Sequence, residues 1–194
     1  TYADFSDMTL TSVNGMCGGV NNASAINFET IIFKNTTITT GNLNGFIKSC
    51  EIENLDLSGI KFTANITDIS SAFLNCTKLK KIDLSTWDLR YLTSIRSCFA
   101  GCNALEQLIL PETHLITCAE GGSKRLDIMY AFQNLKSLKK LDLSMVYGQA
   151  DGTYRYMEDS TSMEEYYFQN LTTYFLLSSS KLNSSTVLSL NKTL

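Results

Sequence analysis

TDISSAFLNCTKLKKIDLS, residues Thr67–Ser85, is followed by TSIRSCFAGCNALEQLILP, residues Thr93–Pro111, and the two stretches match position for position. Each carries a phenylalanine, a cysteine three residues later, a lone leucine, and a short run in which apolar and polar residues alternate. Self-similarity at such a period is the signature of a repeat array, in which no single copy can bury its own apolar face.

Working outward, the phenylalanine anchors Phe46, Phe73, Phe99, Phe132 and Phe168 are separated by 27, 26, 33 and 36 residues, by subtraction. Six residues beyond each anchor stand Ile52, Leu79, Leu105, Leu138 and Tyr174. Nine beyond stand Leu55, Ile82, Leu108, Leu141 and Leu177, and eleven beyond stand Leu57, Leu84, Leu110, Leu143 and Ser179. Phe28, Ile31 and Phe33 keep the same offsets from Asn22, so the N-terminal part reads as a degenerate capping copy without its phenylalanine. The organisation expected is an N-terminal segment with this capping repeat over residues 1–41 and a repeat array over 42–194. Insertions fall near 117–125 and 146–165, where the spacing lengthens.

Two periodicities place two elements in each copy. Ile69, Ala72, Phe73 and Cys76 fall at i, i+3, i+4 and i+7, as do Ile95, Cys98, Phe99 and Cys102, the spacing of one helix face. Thr67 or Asp68, and Thr93 or Ser94, suit the N-caps. Leu55 with Leu57, Ile82 with Leu84, and Leu141 with Leu143 alternate with polar residues, the period of a half-buried strand. The expected fold class is therefore an α/β repeat solenoid: a leucine-rich-repeat-like, right-handed array of short helix plus strand units with one parallel sheet. Its core is the phenylalanine column, the strand leucines and isoleucines, and a further column of Ile60 with Phe62, Trp87 with Leu89, and Leu115.

The two opening stretches resemble the repeat of BspA-like leucine-rich-repeat surface proteins: a helix with Phe before Cys, a spaced Leu, then an LDLS strand. Asn54–Ser58 and Lys140–Ser144 supply further strands of that kind, and SSSKLNSSTVLSL, Ser178–Leu190, resembles the segment that ends such arrays. The likeness spans roughly residues 42–190. Departures include Leu135 and Leu171 in the cysteine slot and Ile109 in the aspartate slot. The resemblance implies a secreted or cell-surface binding module, associated with attachment to host matrix proteins, other protein or glycan ligands.

The chemistry-bearing residues add little that is catalytic. Cys76 and Cys102 share a slot filled by leucine elsewhere and read as small buried hydrophobes. Cys98 and Cys102 lie four apart with no neighbouring His, a poor zinc pattern. Cys17, Cys50 and Cys118 lie outside the regular slots and are open to disulfide pairing that spacing does not assign. One histidine, His114, follows a strand without a nucleophile motif, so a turn histidine is the plainer reading and an enzyme is not expected. Gly18 with Gly19 and Gly121 with Gly122 lack the context of a phosphate loop. No cofactor or metal is expected. Asn-x-Ser/Thr triplets begin at Asn22, Asn35, Asn65, Asn75, Asn170, Asn183 and Asn191, but Asn75 and Asn170 fall within the repeat unit, so a bacterial origin is the simpler expectation.

Sixteen Lys and Arg against 19 Asp and Glu give a net charge of −3 without a basic block, which argues against nucleic acid. The longest apolar runs are a few residues, as at Phe175–Leu177, far short of the ~20 needed to span a bilayer. The chain begins at Thr1 with no leader pattern, as expected of a mature or trimmed fragment.

Between the inward strand positions stand Asn54, Asp56 and Ser58, then Lys81, Asp83 and Ser85, then Gln107 and Ile109, then Lys140, Asp142 and Ser144, which form ladders across the sheet; the binding candidates among them are Asp56, Lys81, Asp83, Lys140 and Asp142. The plainer alternative is that these aspartates bond to neighbouring turns. The second insertion, Val146–Glu165, adds Tyr147, Tyr154 and Tyr156 around an Asp151–Gly152 hairpin signal, with Glu158, Asp159, Glu164 and Glu165 beside it. Those tyrosines either recognise a partner or cover the end of the solenoid. The function expected is a non-enzymatic adhesion module; the alternative is a spacer that projects another domain.

Overall fold

The computed structural model describes residues 2–16, 28–111, 127 and 130–138, and the backbone alone of 140–142 and 174–176. The chain winds into a parallel-strand β-solenoid of about four turns. Among the described residues ten short strands follow in order: β1 (Tyr2–Asp4), β2 (Thr9–Leu10), β3 (Thr30–Ile32), β4 (Thr37–Ile38), β5 (Asn54–Asp56), β6 (Lys61–Phe62), β7 (Lys81–Asp83), β8 (Gln107–Ile109), β9 (Lys140–Asp142) and β10 (Tyr174–Leu176).

The strands stack on two faces of the coil, not in the one sheet expected. On the first face β1 pairs with β3 and β3 with β5, with Ala3, Ile31 and Leu55 in register; β7 pairs with β8, and β9 with β10. On the second face β2, β4 and β6 pair in turn, aligning Leu10, Ile38 and Phe62. All pairings are parallel, as they must be when each strand is reached by a full circuit of the chain. Strand β3 joins the array in the register read from the degenerate copy, with Ile31 beside Leu55. A further coil, opened by β1, precedes it in a segment whose sequence carries none of the repeat pattern.

The third face overturns the expected helices: among the described residues there are none. Asn42, Asp68, Ser94 and Asp127 are joined by isolated parallel bridges. Alternate residues then hydrogen-bond to the next coil. Leu43, Gly45, Ile47 and Ser49 donate to the carbonyls of Asp68, Ser70, Ala72 and Leu74 at 2.7–2.9 Å. The amides between them close tight turns onto residues three back, as Ala72 does on Ile69, Leu74 on Ser71 and Cys76 on Phe73. Such chained turns need left-handed residues, and these are present: Ser71 at φ 55°, Asn75 at 59°, Ser97 at 53° and Gly101 at 74°. A helix cannot include a left-handed residue every fourth position. The chained turns nevertheless keep apolar side chains at i, i+3, i+4 and i+7 buried, which is why the pattern reads as helical.

The same bonds reset the register. Ile47 donates to Ala72 as Phe73 does to Cys98, so Ile47, not Phe46, is the counterpart of Phe73. One step along, Cys50 aligns with Cys76 and Cys102. All three are buried, and the thiols of Cys76 and Cys102 donate to the carbonyls of Ile47 and Phe73 one coil before, at 3.1 and 3.0 Å. Cys50, expected to be irregular and open to pairing, is thus a reduced thiol in a core column. Strand β10 pairs Phe175 with Leu141, two residues earlier than the expected Leu177.

The core is an aromatic spine. Phe5 stacks on Phe33 at 5.1 Å, Phe33 meets Phe46 at 4.8 Å, and Phe73, Phe99 and Phe132 stack at 5.7 and 5.8 Å. Ring spacing close to the distance between stacked strands lets Phe73, Phe99 and Phe132 come one from each successive coil, whereas Phe33 and Phe46 belong to the same coil. Trp87, 1% exposed, packs edge-on against Phe62 at 5.0 Å and tilted against Phe46 at 6.5 Å.

Candidate groove on the first face

The corners of the coil are built by one repeated device. Asp4 accepts the amide of Ser6, Asp56 that of Ser58, Asp68 that of Ser70 and Asp88 that of Arg90, at 2.7–3.2 Å. Asn42 does the same for Asn44. These are Asx turns, which hold a chain reversal by supplying a side-chain acceptor where the backbone has none. Asp83 is doubly held, accepting both the amide and the hydroxyl of Ser85 at 3.1 and 2.7 Å. Asp56 and Asp83, expected to decorate the sheet, therefore also hold its turns.

Among the described residues the ladder of the first face is broken between β5 and β7 and again between β8 and β9. No backbone hydrogen bond joins β5 to β7 among the described residues, although the third face stays bonded on both sides of the break. A groove of about 300 Å³ opens between β5 and β7, lined by Leu55, Asp56, Leu57, Ser58, Lys81, Asp83, Ser85 and Thr86. Leu55 is half-buried, whereas Ile31 and Ile82 in the same column are wholly buried. The Lys81 ammonium lies 3.1 Å from the Asp83 carboxylate, an exposed pair worth well under about 1 kcal/mol. Partial burial pushes the Asp83 carboxyl up, but the hydroxyl and amide of Ser85 and the ammonium of Lys81 outweigh it and hold it below the usual range.

The structure thus brings Asp56, Lys81 and Asp83 together in one groove. Lys140 and Asp142 lie on the backbone of β9, with side chains outside the described residues; Tyr147, Tyr154 and Tyr156, like His114, Cys17 and Cys118, lie wholly outside them. Sequence reasoning placed Ser58 and Ser85 on the exposed ladder but missed the break itself, and with it Leu55, Leu57 and Thr86 as lining residues. A signal was available: Asp4 and Asp56 flank Ile32 in register, and Asp83 faces Ile109, but Asp56 and Asp83 occupy successive coils with nothing between.

Elsewhere on the surface, Asp88 and Arg90 form a forked pair at 2.6 and 2.8 Å that lowers the acid's pKa and raises the base's. The guanidinium also sits 5.8 Å from the centre of the exposed Tyr91 ring. The Cys98 thiol is wholly buried and its pKa is pushed up by that burial. Among the described residues no three His, Cys, Asp or Glu side chains are grouped to hold a metal ion, and no helix is long and apolar enough to cross a membrane. Comparison of the chain with protein-family models, with curated proteins and with solved structures finds no match.

Proposed function

We propose that this chain is a non-enzymatic binding module of the adhesion type, displayed outside the cell, which recognises a protein or glycan ligand on the first face of its solenoid. The observation that carries the reading is the groove between β5 and β7, an opening with charged, hydroxyl and backbone groups where the ladder of the first face is broken. The likeness of Thr67–Ser85 and Thr93–Pro111 to BspA-like surface repeats supports the same reading. Solenoids offer long regular faces, and specific recognition concentrates where regularity is broken.

The test is a binding screen of the soluble chain against immobilised host matrix proteins and glycans. Wild type is expected to bind at least one, and Asp56→Lys with Lys81→Glu to abolish binding without lowering the melting temperature by more than a few degrees. A second reading, a spacer without a ligand, draws on the use of Asp4, Asp56 and Asp83 in turns of their own coils. Absence of binding across the whole screen, with the chain folded, would favour that spacer.

A further inference from the structure

The groove walls are strand edges, and hydrogen-bond accounting shows which groups they present. In a parallel ladder the amide and carbonyl of one residue face one neighbour and those of the next residue face the other. On β5, Asn54 donates to the carbonyl of Glu29 at 3.1 Å and Asp56 accepts from Phe33 at 2.8 Å, so the even residues are turned to β3. The amides and carbonyls of Leu55 and Leu57 are therefore directed at β7. On β7, the Lys80 carbonyl accepts from Gln107 at 3.1 Å and Leu84 donates to Ile109 at 2.8 Å, so Lys81 and Asp83 are directed back at β5. Two rows of main-chain donors and acceptors face each other across the opening without joining.

Building on the binding role above, we propose that this groove captures an extended segment of a protein partner, which adds main-chain bonds to the facing edges of β5 and β7 and sets a basic side chain against Asp56 and Asp83. Unpaired strand edges are the standard template for β-augmentation, where the backbone supplies affinity and side chains supply selection. The charge agrees with a basic guest, because the lining holds two carboxylates against one ammonium. A glycan is the weaker match: among the groove's lining residues there is no aromatic ring on which a sugar could stack. A strand bonded to both edges needs them roughly 9.6 Å apart, whereas Cα atoms of β5 and β7 lie within 8 Å of each other, so the coils part by about 2 Å or more on entry while the bonded third face keeps them tethered.

The test reads the amides directly, in the full chain, by hydrogen exchange followed by NMR. Without ligand, the amides of Leu55, Leu57, Lys81 and Asp83 are expected to exchange at least about tenfold faster than the bonded amides of Phe33 and Leu84. The probe is an acetylated, amidated hexapeptide of alternating arginine and valine, beside the same peptide N-methylated at alternate positions to block main-chain bonding. The plain peptide should slow exchange at Leu55 and Leu57. The N-methylated one should bind about tenfold more weakly or worse, and Asp56→Asn with Asp83→Asn should weaken the plain peptide severalfold. The proposal is overturned if the groove amides exchange as slowly as Phe33 and Leu84, or if both peptides bind equally. It is also overturned if the plain peptide fails to bind at about 1 mM, or if a neutral xylo-oligosaccharide protects the groove and the peptide does not. Capture of a matrix protein or glycan in the screen with the groove amides unchanged leaves the adhesion reading standing and removes this one.

Discussion

Residue 71 separates the observed chain of turns from the helix that its apolar spacing suggests. Ser71 has φ 55° and is the third residue of a turn closed by the Ala72 amide on the Ile69 carbonyl at 3.1 Å. A side chain in that left-handed region costs roughly 1–2 kcal/mol, which glycine escapes, at the expense of about 0.5–1 kcal/mol of extra chain entropy. Ser71→Gly should therefore be neutral or stabilising by up to about 1 kcal/mol, whereas Ser71→Ala, which gives up serine's small tolerance for the region, should be slightly destabilising. In a helix the order reverses, because alanine exceeds glycine by about 1 kcal/mol. The two structures thus differ by roughly 2 kcal/mol in the glycine-minus-alanine difference, and in its sign. For a chain of 194 residues each kcal/mol moves the melting temperature by about 2–4 °C, so the glycine variant should melt a few degrees above the alanine variant by calorimetry. An alanine variant that melts higher than the glycine variant would refute the chained-turn account of the third face.

Four further outcomes are expected. Phe99→Ala removes a wholly buried ring stacked on Phe73 and Phe132 and should cost about 3–5 kcal/mol in chemical denaturation; a neutral result would sink the aromatic spine. Gly41→Ala should be severely destabilising, because its new methyl would overlap the carbonyl of Asn65 on the next coil, and near-wild-type melting would show that the corner can yield. The Asp83 carboxyl titrates below its unfolded value, so its contribution is present above about pH 4 and lost as pH falls through the folded value. Asp83→Asn should accordingly flatten the acid limb of a stability-against-pH curve and leave the alkaline limb unmoved. The buried thiols of Cys50, Cys76, Cys98 and Cys102 should react with an aromatic disulfide reagent only after denaturant is added, so rapid labelling of folded protein would contradict their burial.

What could be read from the sequence depended on which physical constraint wrote it. Inward strand positions alternate with outward ones over a strict two-residue period, so the burial of Leu57, Leu84 and Leu110 and the pairing of Ile31 beside Leu55 were legible without a structure. The third face misled because two backbones satisfy one pattern. Burial depends on side-chain spacing, and the inward positions of chained turns match those of a short helix. The deciding information lay in Ser71, Asn75, Ser97 and Gly101, residue types that tolerate left-handed φ and are poor helix formers. Phenylalanine proved an imprecise anchor because the core accepts its ring from adjacent backbone positions: Phe46 fills the space from one residue before the true counterpart, Ile47. The groove was harder to foresee, since a missing bond between two strands leaves no motif in either.

Its position nevertheless has a physical cause in the sequence. Closing the ladder would bring the strands to about 4.8 Å and set the carboxylates of Asp56 and Asp83 on successive rungs, where two unit charges repel by about 1 kcal/mol in water and severalfold more where water is displaced. Where strands of this column do pair, each aspartate stands beside an apolar residue: Ile32 lies between Asp4 and Asp56, Ile109 beside Asp83 and Leu176 beside Asp142. The opening is therefore built into the coil and exists before any ligand arrives, so a guest that completes the ladder meets edges already exposed and carries the positive charge that the two carboxylates lack.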